Sequence, residues 1–148
     1  MSRRRYSKYL LSTRYESGLY FVQATLIHGR SAHFWLLFDS GAAYCGIAKD
    51  IAESIGLRAE GEEQIGSIQG ETVRQFATVD RIVLGLRANQ GEPSVPVQVS
   101  DVKVVFLDPN WSKWLRQKVV VGLLGANFIK EFGFYIGAGA LKVYVQTG

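Results

Sequence analysis

The chain has 148 residues, 47% hydrophobic and 20% charged, which is enough for one domain with a core and too short for two. That balance excludes a disordered chain, and 16 glycines against 3 prolines point to a turn-rich β protein. The net charge of +4 is lopsided: Arg3, Arg4, Arg5, Lys8 and Arg14 precede Glu16, whereas from residue 17 onward 12 basic residues meet 12 acidic ones, so a nucleic-acid reading rests on the N-terminal segment alone.

Residues 1–17 read as a basic, flexible N-terminal arm and residues 18–148 as a single domain. No apolar run near the N-terminus approaches the ~20 residues of a membrane span, and no signal-peptide core follows the arginines. The expectation is a soluble, cytoplasmic protein without a membrane partner. Residues 18–27 (GLYFVQATLI) and 32–38 (AHFWLLF) have strand composition around a His28-Gly29 turn, the second apolar enough to be buried on both faces. Ala48, Ile51, Ala52 and Ile55 recur at helical spacing up to Gly56. An alternating pattern then runs through Ile65 and on from Val73 to Leu84, predicting a long hairpin with a glycine-bearing tip.

Residues 95–99 (VPVQV) alternate, with Pro96 confining them to an edge or a strand start. Asp108-Pro109 reads as an N-cap and first helical residue, with Trp111, Trp114 and Leu115 on one face of a two-turn helix. A second apolar run, 119–124, precedes Gly125, a short helix over 126–132 and a final hairpin across Gly137-Ala138-Gly139.

Cys45 is the only cysteine, which excludes an intrachain disulfide and a cysteine-built zinc site, and His28 and His33 lack any accompanying ligand motif. No metal and no cofactor is expected. What calls for explanation is an apolar strand that ends in an acid, Phe38-Asp39-Ser40-Gly41-Ala42, since a carboxylate beside a core is costly unless it is paired or neutralised.

Leu37-Phe38-Asp39-Ser40-Gly41-Ala42, a glycine-tipped hairpin, and later Leu123-Leu124-Gly125-Ala126-Asn127-Phe128-Ile129 stand in the order of a known signature. The chain resembles the retropepsin-like, or retroviral-type, aspartic proteases over roughly residues 18 to 145. The resemblance implies a mainly β, single-lobe acid-protease barrel with two or three short helices, acting as an aspartic endopeptidase on peptide or protein substrates. It implies Asp39 as the catalytic residue, supported by Ser40, Gly41 and Ala42, with Leu123, Leu124, Gly125 and Asn127 as the structural motif. Ile65, Ser67, Ile68, Gln69 and Gly70 match the substrate-binding flap. Among five aspartates only Asp39 is followed by Ser-Gly, so the second catalytic carboxylate is expected from a second copy, in a homodimer with Leu141 to Val145 as a candidate interface strand. Three positions depart from the pattern: Ala43 replaces an acid that retroviral members often carry, Cys45 a Ser or Thr, and Gly46 a larger residue. The alternative reading is a non-catalytic peptide- or protein-binding module on the same fold.

Overall fold

A computed structural model describes residues 5–67, 70–91 and 96–146. Its strands are β1 (Tyr6–Leu10), β2 (Thr13–Glu16), β3 (Leu19–His28), β4 (Arg30–Phe38), β5 (Cys45–Ala48), β6 (Gly61–Ser67), β7 (Gly70–Leu84), β8 (Gln98–Leu107), β9 (Val120–Leu124), β10 (Gly133–Gly137) and β11 (Ala140–Gln146). Three short helices join them: α1 (Lys49–Ser54), α2 (Lys113–Gln117) and α3 (Ala126–Ile129). Eight strands form one sheet in the order β2-β3-β4-β9-β5-β8-β7-β6, and a further pairing of β3 with β7 closes six of them into a ring. The mainly β barrel with short helices matches the sequence expectation. No helix of the described residues is long and apolar enough to cross a membrane.

The ring encloses the core. Val22, Leu26, Leu36, Ile47, Ile82, Val104 and Leu124 are sealed inside, contributed by all six strands of the ring. Phe34 and Phe38 of β4 pack on this core, while Trp35 and Leu37 face a smaller cluster around Phe21, Leu115 and Val120. Both faces of β4 are thus covered by apolar groups, although only Leu36 is fully buried.

Two parallel pairings place the two motif loops. β4 lies parallel to β9, with Phe38 beside Leu124, and β5 lies parallel to β8, with Cys45 beside Val104. Because β5 also pairs antiparallel with β9, the chain leaving β4 must cross the chain leaving β9 where both apolar runs end.

The N-terminal segment is not an arm over its described length. β1 pairs with β11 along all five residues, β2 pairs with β3, and Leu11 between them is fully buried. Ser17 and Gly18, at φ of 52° and 79°, form the two-residue turn that joins β2 to β3 with the twist a hairpin needs. Arg14 is spent locally: its guanidinium lies 5.1 Å from the Trp35 ring and donates to the Lys118 carbonyl at 3.0 Å. Arg3 and Arg4 lie outside the described residues.

Two further expectations are corrected. β8 runs on to Leu107, since Val102, Val104, Val105 and Phe106 are buried, and Asp108-Pro109 then makes a turn in which the Trp111 N–H donates to the Asp108 carbonyl at 2.8 Å. The helix starts later, with the Ser112 hydroxyl accepting from the Leu115 N–H. In the second case β11 cannot offer an edge to a partner strand, because β1 and β10 occupy both of its sides. The edges of that three-stranded sheet are β1 and β10, which carry the exposed Tyr6, Tyr135 and Ile136.

Candidate active site

Asp39 leaves β4 still in register, its N–H donating to the Leu124 carbonyl at 3.0 Å. The chain then turns back, with the Ala42 N–H on the Asp39 carbonyl at 3.2 Å. The Gly41 N–H donates to Asp39 Oδ1 at 3.0 Å, so the backbone itself aims the half-buried carboxylate, while Ser40 beside it is exposed.

The second motif locks this loop from below. The Ala126 N–H donates to the Ala42 carbonyl at 2.7 Å and the Asn127 N–H to the Ala43 carbonyl at 3.2 Å. Asn127 then spans two strands: its Oδ1 accepts from the Cys45 N–H at 2.8 Å, and its Nδ2 donates to the Lys103 carbonyl at 2.8 Å. These contacts require that nothing protrude from the second motif. A Cβ on Gly125 would meet the Tyr44 carbonyl and stand 2.9 Å from the Cys45 nitrogen, and one on Gly122 would meet the Gly46 carbonyl. Leu124 is buried beneath the loop, whereas Leu123 faces the cleft.

Cys45 is part of the floor rather than a nucleophile. Its Sγ accepts from the Gly125 N–H at 3.4 Å, and burial pushes the thiol up to about 11, so it stays protonated at neutral pH. Gly46 fits close against the Leu107 side chain, which a Cβ there would approach to 3.1 Å.

Over the floor stands the hairpin of β6 and β7. Direct pairing of Ile65 with Thr72, Glu63 with Arg74 and Gly61 with Phe76 puts those side chains on one face. Ile65, Gly66, Thr72 and Arg74 above, with Asp39, Gly41, Ala42, Ala43 and Tyr44 below and Val105, Leu107 and Leu123 along the wall, bound a cleft of about 750 Å³. Of the expected flap residues, Ile65 lines the cleft, Ser67 ends β6 and Gly70 opens β7 at φ +115°; Ile68 and Gln69 lie outside the described residues.

Sequence reasoning missed the base of this hairpin. Lys103 Nζ holds Glu63 Oε2 at 2.9 Å, the Tyr44 hydroxyl donates to Glu63 Oε1 at 3.2 Å, and the same ammonium lies 4.2 Å from the Phe76 ring centre. The hydrogen bond from Lys103 keeps the Glu63 carboxyl below its ordinary value. Thr72 and Arg74 were recoverable in principle: folding the sequence about residues 67–70 sets them opposite Ile65 and Glu63. A second cavity of about 510 Å³, bounded by Leu84, Leu86, Arg87 and Val97, contains none of the motif residues. Among the described residues no three His, Cys, Asp or Glu side chains gather as a metal site.

A closed barrel in which an Asp-Ser-Gly loop crosses a Leu-Leu-Gly loop beneath a hairpin defines the retropepsin-like, single-lobe acid-protease class. The family model described as aspartyl protease matches residues 22–128, and the chain belongs to that family. Among solved structures it is similar to a retropepsin-like aspartic protease from Rickettsia conorii, with a TM-score of 0.65 and 14% identity over 100% of this chain and 98% of that one. Among curated proteins no sequence matches.

Proposed function

We propose that the chain is an aspartic endopeptidase that works as a homodimer, with Asp39 of each copy forming one catalytic pair on the two-fold axis. The observation that carries this is a single backbone-aimed carboxylate on the floor of a hairpin-covered cleft, in a chain with no second Asp-Ser-Gly. Two carboxyls about 3 Å apart share one proton, so one acts as base and the other as acid. The ionised member takes a proton from water as its oxygen attacks the peptide carbonyl carbon. The protonated member gives its proton to the carbonyl oxygen. Collapse of the resulting diol, with protonation of the amine, breaks the C–N bond.

The rest of the site supports these steps. Ser40 is exposed beside Asp39, which supports a role for its hydroxyl in bonding across the dimer. Gly41 lets the substrate backbone approach, and the β6–β7 hairpin closes over an extended peptide bound by main-chain hydrogen bonds. Since β11 has no free edge, the copies meet through the Asp39 loops and the exposed edges β1 or β10.

The test is cleavage of a mixed peptide library by the purified chain beside Asp39→Asn, scored by mass spectrometry. Cleavage by the wild type alone, with specific activity falling on dilution as the dimer dissociates, is the expected result. A folded, dimeric wild type that cleaves nothing would instead favour a peptide-binding module, and activity independent of dilution in a monomer would remove the dimer.

A further inference from the structure

The lining of the cleft contains one cationic side chain among the described residues, Arg74, and its counter-ion is weakly placed. Glu63 stands directly opposite it across the hairpin, but that carboxylate is engaged by Lys103 and Tyr44. Arg74 turns instead to Asp108 on the turn beyond β8, with Nη1 3.3 Å from Oδ2. The Asp108 side chain is 76% exposed, against 29% for Arg74. A pair with one partner so open to water is heavily screened and adds little.

A substrate changes that balance. A peptide lying between flap and floor covers Arg74 and strips water from it. A neutral side chain in that place leaves the guanidinium dependent on a carboxylate at the rim, whereas an acidic one meets it directly with charge-assisted, fork-like bonds in a drier setting. Ile65 above and Val105, Leu107 and Leu123 along the wall give the cleft apolar surface around it.

We propose that Arg74 is the specificity-determining cation of this cleft, selecting peptides that carry an acidic side chain among apolar neighbours, with Asp108 as the internal carboxylate that the substrate displaces. The inference rests on the protease reading above and names its substrate class. Lys103, the other cation near the hairpin, does not compete for the role because Glu63 already holds it.

The experiment uses peptide pairs, identical except for Glu or Gln placed in turn at each position around an apolar cleavage site. At one position the wild type should prefer Glu by on the order of tenfold in kcat/KM, chiefly through KM. Arg74→Gln should bring that ratio near one, Arg74→Lys should keep part of it, and Arg74→Glu should turn the preference toward Lys. Asp108→Asn should raise the Glu preference, because the competing carboxylate is gone. A merely structural Arg74–Asp108 pair gives the opposite pattern: both neutral variants then slow Glu and Gln peptides alike and leave the ratio unchanged, which overturns the proposal. If the wild type cleaves neither peptide, the protease reading has failed. The acid preference is then measured alone, as binding of the fluorescent pair to Asp39→Asn and to Asp39→Asn/Arg74→Gln, where equal Glu-to-Gln ratios in the two proteins overturn it.

Discussion

The crossing of the two loops makes a quantitative demand on Gly125. Its φ of −102° suits any residue, so the constraint is space alone. An added Cβ would stand 2.9 Å from the Cys45 nitrogen and nearer still to the Tyr44 carbonyl, both backbone atoms of the segment that follows Asp39. To restore ordinary contact that segment must retreat by about 1 Å, an overpacking cost of about 1–3 kcal/mol. The same shift stretches the bonds from Ala126 to Ala42, from Asn127 to Ala43 and from Cys45 to Asn127, each worth about 1 kcal/mol.

Gly125→Ala should therefore lose about 3–5 kcal/mol, which for a domain of this size lowers Tm by roughly 10 °C. Scanning calorimetry reads the loss, and peptide cleavage at a temperature where the variant is folded reads the displacement of Asp39. Gly66→Ala is the stability control, since an added Cβ there meets nothing within 4 Å and φ is not left-handed. Equal Tm values for Gly125→Ala and the wild type would refute the reasoning, because the close approach would then not exist.

Other perturbations probe the periphery. Val119 is 66% exposed and β-branched yet sits at φ +63°, so Val119→Asn, which tolerates that conformation, should stabilise by about 1 kcal/mol in urea denaturation; an unchanged midpoint would argue against the strain. Because Lys103 depresses the Glu63 carboxyl, the hairpin tether is complete above the ordinary carboxylate range and is lost only as pH falls through the depressed value. Hydrogen exchange of β6, corrected for intrinsic rate, should rise in acid for the wild type and be high at every pH for Glu63→Gln, whereas identical profiles would dismiss the tether. Deleting residues 1–16 removes β1, β2 and the fully buried Leu11 and should cost more than the ~3 kcal/mol of that leucine alone; an intact fold after the deletion would return the segment to the status of an arm.

The parts of the site that were legible are those written in short windows. Phe38-Asp39-Ser40-Gly41 announces itself because an acid at the end of an apolar strand conflicts with burial, and Leu124-Gly125 because a glycine interrupts a second such run. The misread parts depend on partners far away in sequence. Tyr6–Leu10 (YSKYL) lacks the alternation that marks a strand, its hydrophobic residues falling at 6, 9 and 10, and becomes one because β11, more than 130 residues on, supplies its hydrogen bonds. Asp108-Pro109 satisfies the local rule for a helix start, but Pro109 fits a turn equally well, and the Ser112 hydroxyl supplies the cap. Arg74 and Lys103 look like solvated charges on alternating strands until the pairing of β7 with β6 sets one in the cleft and its pairing with β8 sets the other at the base of the hairpin.

This division has a structural cause. The aim of the Asp39 carboxylate is fixed by the Gly41 N–H, by main-chain bonds from Ala126 and Asn127, and by two glycines whose value lies in having no side chain. Little of that geometry depends on which side chains surround it, apart from Asn127. The side chains of Ile65, Thr72, Arg74, Val105 and Leu107, which line the rest of the cleft, lie outside those bonds and are free to differ without moving the carboxylate. Under the proposed protease reading, a fold built this way separates the Asp39 carboxylate from the recognition of the peptide: substitutions at Gly125 or Asn127 should act on every substrate alike, whereas substitutions at Arg74 should redistribute preference among substrates.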